Sequence, residues 1–408
     1  MGAWSYVSIN KDTLGRVSYV KLALIGFGNA GGKVVDRILA KDRDVGGSLC
    51  QSVLAINSAE TDLHKPELIP EDKRMLIGQA DPRVKGHGVG ADPELGAEVA
   101  RKDIYEAMRA MDDVPVHAID AFLVVGGFGG GTGSGGGPIV AQALRDTYDE
   151  PVYGLGILPS TEEGGRASLN AARVLPNWVD ATDNLLMFDN DVWRGADDSI
   201  GGGYDRTNDE LAERIYSLLA AGSTDGSMIS ENAMDASDIR RTLGTQGIST
   251  IAYASAPIEE STRRNRGFLS SFRSNGSDSD TDATKKITGL VRQAVQSRLT
   301  LPAEVNSAQR SLVVITGPPE ECSRKGLDAA RQWLEQQTGS VEVLGGDKPR
   351  PNAETISATV VLANVTDVPR IENLKAQGVD AQQNIADKAE FRDSELHELA
   401  HTSDLEPV

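Results

Sequence analysis

The stretch GGFGGGTGSGGG, residues 126–137, decides how the rest of the chain is read. It follows AFLVV (121–125), an apolar run that reads as a buried strand, and precedes Pro138 and a stretch to Thr147 with helical character. Glycines let backbone N–H groups approach phosphate oxygens with no Cβ in the way, and the start of a following helix adds the positive end of its dipole. Thr132 and Ser134 supply hydroxyl donors. A flexible linker would not sit between a buried strand and a helix. A Walker A loop is excluded because no Lys-Ser or Lys-Thr follows the glycines. The stretch is a candidate phosphate loop, with Gly129, Gly130, Gly131, Thr132, Gly133 and Ser134 as its contacts.

Outward from this loop the same grammar repeats. KLALIG (21–26) reads as a short strand running into a second glycine cluster, Gly26 to Gly32, and a helical stretch to Leu39. QSVLAIN (51–57), 152–158 and 184–188 read as further strands, and 94–111 has helical spacing. Strand, loop and helix in alternation predict an α/β domain, a parallel sheet with helices on both faces. In 207–221, Leu211, Ile215, Leu218 and Leu219 fall at helical spacing, with Thr207 as N-cap and Glu210 completing a capping box. A helix at 235–243 follows. Then strands at 247–256, 311–316, 341–344 and 355–363 alternate with helices near 285–298 and 327–337. The expected organisation is an extension at 1–19, a nucleotide-binding domain at 20–205 and a central helix with its following loop at 206–244. A smaller α+β domain at 245–365 and an acidic tail at 366–408, mobile or loosely helical, complete it.

Composition narrows the function classes. The 408 residues carry Asp+Glu 60 against Lys+Arg 41, a net charge of −19, and the basic set is 14 Lys and 27 Arg. Excess carboxylate with scarce lysine suits a protein that stays hydrated in concentrated salt. The expected source is salt-loving and archaeal; an ordinary acidic cytosolic protein is the alternative. The acidity argues against nucleic acid as a partner. No run approaches the roughly 20 apolar residues of a membrane span, and Met1 to Val20 has no signal-peptide pattern. Two cysteines, Cys50 and Cys322, are too few for a disulfide framework or a cysteine metal site, and the five histidines show no ligand spacing. A cytoplasmic location without a dedicated metal cage is expected.

Gly26, Gly28 and Gly31 also match the G-x-G-x-x-G dinucleotide fingerprint. An NAD(P)-dependent oxidoreductase is therefore a competing reading. It is weakened by Asn57 where a ribose-binding carboxylate is wanted, and it leaves residues 126–137 unexplained.

GGGTGSG at 129–135 resembles the signature loop of the tubulin and FtsZ superfamily, and the other segments agree in order. Gly28-Asn29-Ala30-Gly31 is similar to that family's first nucleotide loop, Ile56-Asn57-Ser58 to the second, and 86–94, with Gly90 and Ala91, to the third. The likeness runs from about residue 20 to 365, and the opening KLALIGFGNAGGKVVDRIL is most similar to the haloarchaeal CetZ branch. The resemblance implies a GTPase-domain fold joined by a central helix to a smaller domain. It implies GTP and Mg²⁺ as ligands and self-association head to tail. Asn190 and Asn208 then read guanine and Glu163 holds the ribose; Tyr204, ahead of the central helix, is a candidate to stack on the base, and Arg166 falls one residue short of the FtsZ-type arginine. The segment 231–241 resembles the loop that reaches the next subunit's phosphate, with Asp235 and Asp238 as its catalytic carboxylates and Asn232 displaced by one from the FtsZ pattern. The segment with Arg263, Arg264, Arg266 and Arg273 occupies the place of a lateral-contact loop, expected to serve lateral association, a membrane adaptor, or solvent alone. A polymerising GTPase that shapes archaeal cells is the leading expectation. An FtsZ-type division protein and a non-polymerising GTP binder are the alternatives within the family.

Overall fold

The computed structural model describes residues 20–112, 114–193, 200–219, 234, 236–258 and 278–401. Its strands are β1 (Leu22–Phe27), β2 (Cys50–Asn57), β3 (Arg74–Leu76), β4 (Ala121–Gly127), β5 (Val152–Leu158), β6 (Asn184–Asp189), β7 (Ile248–Pro257), β8 (Arg310–Gly317), β9 (Glu342–Pro349) and β10 (Thr355–Ala363). The helices are α1 (Gly28–Asp44), α2 (Glu60–Leu63), α3 (Pro93–Lys102), α4 (Ile104–Arg109), α5 (Thr132–Thr147) and α6 (Gly165–Ala181). They continue as α7 (Asn190–Trp193), α8 (Ile200–Leu219), α9 (Ala236–Leu243), α10 (Asp278–Gln296), α11 (Arg324–Gln337) and α12 (Pro369–His401).

The strands form one sheet in the order β3-β2-β1-β4-β5-β6-β7-β10-β8-β9. From β3 to β6 every pair is parallel. Strands β1 and β4–β6 are buried on both faces, which explains their continuous apolar runs. Beyond β7 the grammar changes as the sequence suggests, with β10 antiparallel to both β7 and β8. The second unit nevertheless continues the first sheet: β7 pairs with β6 at Leu185–Ile248 and Leu186–Ser249. One face of the sheet buries Phe27, Phe122, Phe128 and Trp178, and, further along, Ile287 and Leu290 of α10. The other buries Val34, Val35 and Ile38 of α1, Leu211 and Ile215 of α8 and Ile239 of α9.

Three of the differences from the sequence reading bear on the site. Helix α5 begins at Thr132, six residues before Pro138, so the second half of the stretch 126–137 is helix rather than loop. A Cβ on Gly135 would lie 1.9 Å from the Pro93 carbonyl, and one on Gly137 would lie 2.2 Å from Trp178. These glycines let α5 lie close on α3 and α6; phosphate contact is not their role. Pro138 removes the N–H that would bond the Ser134 carbonyl, and Trp178 Nε1 donates to that carbonyl at 3.0 Å instead. Helix α8 begins at Ile200, not at Thr207; Thr207 is buried within it, and Glu210 pairs with Arg214 one turn on instead of capping. The tail is a 33-residue helix, α12. Its first turns bury Ile371 and Leu374 and bring Gly378 onto Leu169 and Ala172 of α6. The extension 1–19 and the Arg263–Arg273 segment lie outside the described residues.

Gly135→Ala isolates the close approach. In an ordinary helix interior the change would stabilise by about 1 kcal/mol. Here the added methyl must push α3 from α5, and a net loss of roughly 1–3 kcal/mol is expected by urea unfolding. Stability equal to or above wild type would contradict this packing.

Candidate nucleotide site

The strand order reverses between β1 and β4, and ligands of open parallel sheets bind at that point, outside the carboxyl ends of the strands. A cleft of about 360 Å³ lies there, lined by residues 27–30, 87–91, 127 and 129–133 together with Asn57, Ala59, Asp62, Ile157, Pro159, Glu163 and Asn190.

Each wall follows from local sequence. At the end of β1, Gly28 adopts φ +73°, and a Cβ on it would sit 2.8 Å from Gly133 N, so only glycine lets the two loops meet. Asn29 and Ala30 line the cleft with Gly28. Gly31 does not: a Cβ there would lie 2.1 Å from the Val125 carbonyl, so its role is to seat α1 on β4. At the end of β4, buried Phe128 packs on Trp178 (ring centroids 5.2 Å apart) and leaves Gly129–Gly131 to form the loop ahead of α5. These glycines, Thr132 and Gly133 line the cleft at the positive end of α5. Ser134 does not reach it; it is buried, and Oγ donates to the carbonyls of Gly130 (2.5 Å) and Gly131 (3.1 Å), holding the loop's shape.

The third wall is strained. Lys85, Gly86, Gly88, Gly90 and Ala91 all have positive φ, Ala91 at +57°. A left-handed alanine costs about 1–2 kcal/mol. Asn170 of α6, buried, offsets this: Nδ2 donates to the carbonyls of Ala91 (2.9 Å), Gly129 (3.0 Å) and Gly130 (3.4 Å). One amide thus ties the third loop to the second. Ser58 Oγ and Thr132 Oγ1, 2.6 Å apart, tie the β2 end to the same loop. Asn57 turns inward, its Oδ1 accepting from Ser58 N and Ala59 N.

At the opposite end lie Pro159, Glu163 and Asn190. Glu163 Oε1 accepts from Ser160 N and from the Tyr204 hydroxyl, each at 2.8 Å. Tyr204 therefore adjoins the cleft through Glu163. Asn208, one turn further along α8, is half-buried and does not line the cleft. Arg166 faces a separate groove against α12. Arg370 of α12 pairs with Asp189 (3.0 Å) and Asp191 (3.1 Å). Burial pushes the Asp189 carboxyl above the usual carboxylate range, against the pull of Arg370.

Asp238 lies elsewhere. Ser237, Arg240, Arg241 and Gly244 of its helix and the following turn share a groove with Tyr148–Pro151 and Asp183, residues that precede β5 and β6. This is the edge where the strands start, about 20 Å from the edge where they end. Asp235 and Asn232 lie outside the described residues. Asn170 and Arg370 are absent from the sequence-based reading; Asn57 and His87 fall inside its second and third loops with no individual binding role assigned, and Asp62 lies just beyond the second. Pro369 followed by Ile371, Leu374, Gly378 and Ala381 at helical spacing marks the helix that carries Arg370, though not the partners of its guanidinium.

Two family models divide the chain: the Tubulin/FtsZ family GTPase domain matches residues 21–197, and the C-terminal domain of Tubulin-like CetZ matches 197–380. Tubulin-like protein CetZ1 of Haloferax volcanii is 50% identical over 373 residues, 90% of this chain and 93% of its own. The chain belongs to the CetZ branch of the tubulin/FtsZ family. Among solved structures, the GDP-bound monomer of Haloferax volcanii CetZ1 superposes with a TM-score of 0.77 at 48% identity, covering 89% of this chain and 99% of that one. The GTPgS-bound protofilament of CetZ2 from the same organism gives 0.77 at 37% identity, covering 91% and 99%. The acidic composition accords with these haloarchaeal relatives. The oxidoreductase reading falls with the family assignment, and its physical grounds fall too: Gly31 is a packing glycine and Asn57 caps its own loop. Membership in the CetZ branch likewise sets aside the FtsZ-type division reading.

Asn170→Ala should lower stability by about 1–3 kcal/mol, because buried carbonyls lose their donor. Asn170→Asp should cost more, since it turns an acceptor toward acceptors. Urea unfolding of both variants checks the order; equal stability of all three proteins would contradict the bridging role.

Proposed function

We propose that this CetZ-family protein binds GTP in the cleft, assembles head to tail with copies of itself, and hydrolyses GTP where the cleft of one subunit meets the α9 end of the next. The observation that carries this reading is the placement of α9, the helix that holds Asp238, at the strand-start edge, a strand's length from the chain's own cleft. A carboxylate so placed serves hydrolysis only in a neighbour's cleft. The relatives support the two halves of the reading, one solved with GDP as a monomer and one with GTPgS as a protofilament.

The roles divide along the cleft. Backbone N–H groups of Gly129–Gly133 and the start of α5 hold phosphate oxygens. Gly90 and Ala91 close over the terminal phosphate. At the other end the Asn190 amide reads guanine, accepting from one edge group and donating to another, and Glu163 accepts from the ribose. Asp238, with Asp235, orients a water toward the terminal phosphorus and takes its proton. Mg²⁺ needs few protein ligands beside phosphate oxygens and water. The Asp62 carboxylate and the Ser58 and Thr132 hydroxyls, at the phosphate end, are donors of the hard-oxygen kind it takes. Bound there, the ion would neutralise phosphate charge. The resulting filament is cytoskeletal and serves cell shape. Among the described residues no helix is long and apolar enough to cross a membrane.

Phosphate release from GTP, measured against protein concentration in high-potassium buffer with Mg²⁺, tests the mechanism. Specific activity should climb with concentration in wild type and fall by roughly 10²–10⁴ in Asp238→Ala, the usual contribution of a general base. A rate per subunit that is independent of concentration would instead mean a self-contained GTPase.

A further inference from the structure

One guanidinium joins the C-terminal helix to the end of the cleft that holds Asn190. Arg370 lies in the first turn of α12 and is only 9% exposed. Its Nε donates to Asp189 Oδ2 at 3.0 Å, and Nη2 donates to the Pro159 carbonyl at 2.9 Å and pairs with Asp191 Oδ2 at 3.1 Å. These acceptors bracket the nucleoside end of the cleft. Pro159 lines it, and Asn190 stands between the two aspartates in the chain. Asp189 Oδ1 accepts from Asp191 N, which fixes the turn that carries Asn190. Asp191 Oδ1 accepts from Thr161 N at 2.7 Å and from Thr161 Oγ1 at 3.2 Å, and Thr161 opens the short turn that ends at Glu163.

We propose that Arg370 is a positioning residue for nucleoside recognition, so that seating of the C-terminal helix and recognition of guanine and ribose are one linked equilibrium. This rests on the reading of the cleft as a GTP site. The phosphate end is organised separately, by Asn170 and Ser134. Arg370 therefore acts on one half of the ligand only. A lysine cannot replace it, because a point charge on a flexible stem does not reproduce a planar fork bonded to one carbonyl and two carboxylates. The linkage runs both ways. Whatever lifts the first turns of α12 from α6 loosens the nucleoside end, and a bound nucleoside seats α12 more firmly.

The test measures GTP, ATP and tripolyphosphate by competition against a fluorescent GTP analogue, in wild type, Arg370→Lys and Asp191→Ala. Arg370→Lys keeps the charge beside buried Asp189. Asp191→Ala removes one link of the same chain while leaving the Arg370–Asp189 pair intact, and it decides the matter if the first variant does not fold. GTP affinity is expected to fall roughly tenfold in Arg370→Lys, equivalent to about 1.4 kcal/mol, and about threefold in Asp191→Ala. The preference for GTP over ATP should shrink by the same factors, while tripolyphosphate competes as in wild type. Unchanged GTP preference in variants of a GTP-selective wild type would overturn this inference alone. Equal losses of GTP and tripolyphosphate binding would overturn it as well, by marking a general structural role. A wild type that binds no GTP would overturn the reading of the cleft itself.

Discussion

Close approach of helices to the sheet, possible only where side chains are missing, sets the geometry on which the cleft depends. Cβ atoms on Gly31, Gly133, Gly135, Gly136 and Gly137 would lie between 1.9 and 2.6 Å from backbone or aromatic atoms of the neighbouring elements. Each glycine in a helix costs about 1 kcal/mol relative to alanine, and α5 carries four of them within its first six residues. That cost is met by burial of Trp178 and Phe27 against the same helix, with Phe128 packed on Trp178. The consequence is positional. The first turn of α5 starts level with the end of β4, so its unpaired N–H groups open into the cleft together with those of the preceding loop.

Strand polarity then gives the molecule two unlike ends. Parallel strands from β3 to β6 place every strand end on the cleft side, and the connections that return to the strand starts on the other. Helix α9 feeds β7 from the strand-start side, which takes Asp238 away from the cleft of its own chain. Two unlike ends brought together make a heterologous contact, and such a contact propagates into an open filament when its rotation does not close. On the mechanism proposed above, polymerisation and catalysis both depend on a topological feature, the direction of β7's entry, which sets Asp238 apart from the cleft of its own chain.

The parts legible in the sequence were those with a local signature. The buried strands β1, β2 and β4–β6 stood out as apolar runs, and the phosphate loop as glycines between strand and helix. The start of α5 was not legible, because glycines and Pro138 argue against helix locally. The decisive partner, the Trp178 indole that takes the Ser134 carbonyl, lies 44 residues away. The start of α8 was misplaced because Thr207 and Glu210 offer a capping pattern that burial of Thr207 overrides. Asn170 and Arg370 were missed for the same kind of reason. Their bonds reach across 79 and 181 residues, and neither an amide nor an arginine announces such a partner in its own neighbourhood.

Salt explains which links are buried. In the concentrated salt to which composition and relatives point, charges separated by more than about 3 Å of solvent are screened at 1 M. The ion pairs that join α1 to α8, Arg37 with Asp205 and Asp209 and Lys41 with Glu213, are all more than a third exposed and lose most of their attraction there. Apolar packing of Val34, Val35 and Ile38 on Leu211 and Ile215 must carry that contact. The Arg370–Asp189 pair is different: both partners are at least nine-tenths buried, so salt reaches it poorly. Burial also raises the cost of the pair, as the upward push on Asp189 shows. A buried pair is therefore a poor source of stability and a good source of geometry. Its place between the C-terminal helix and the Asn190 end of the cleft accords with that balance.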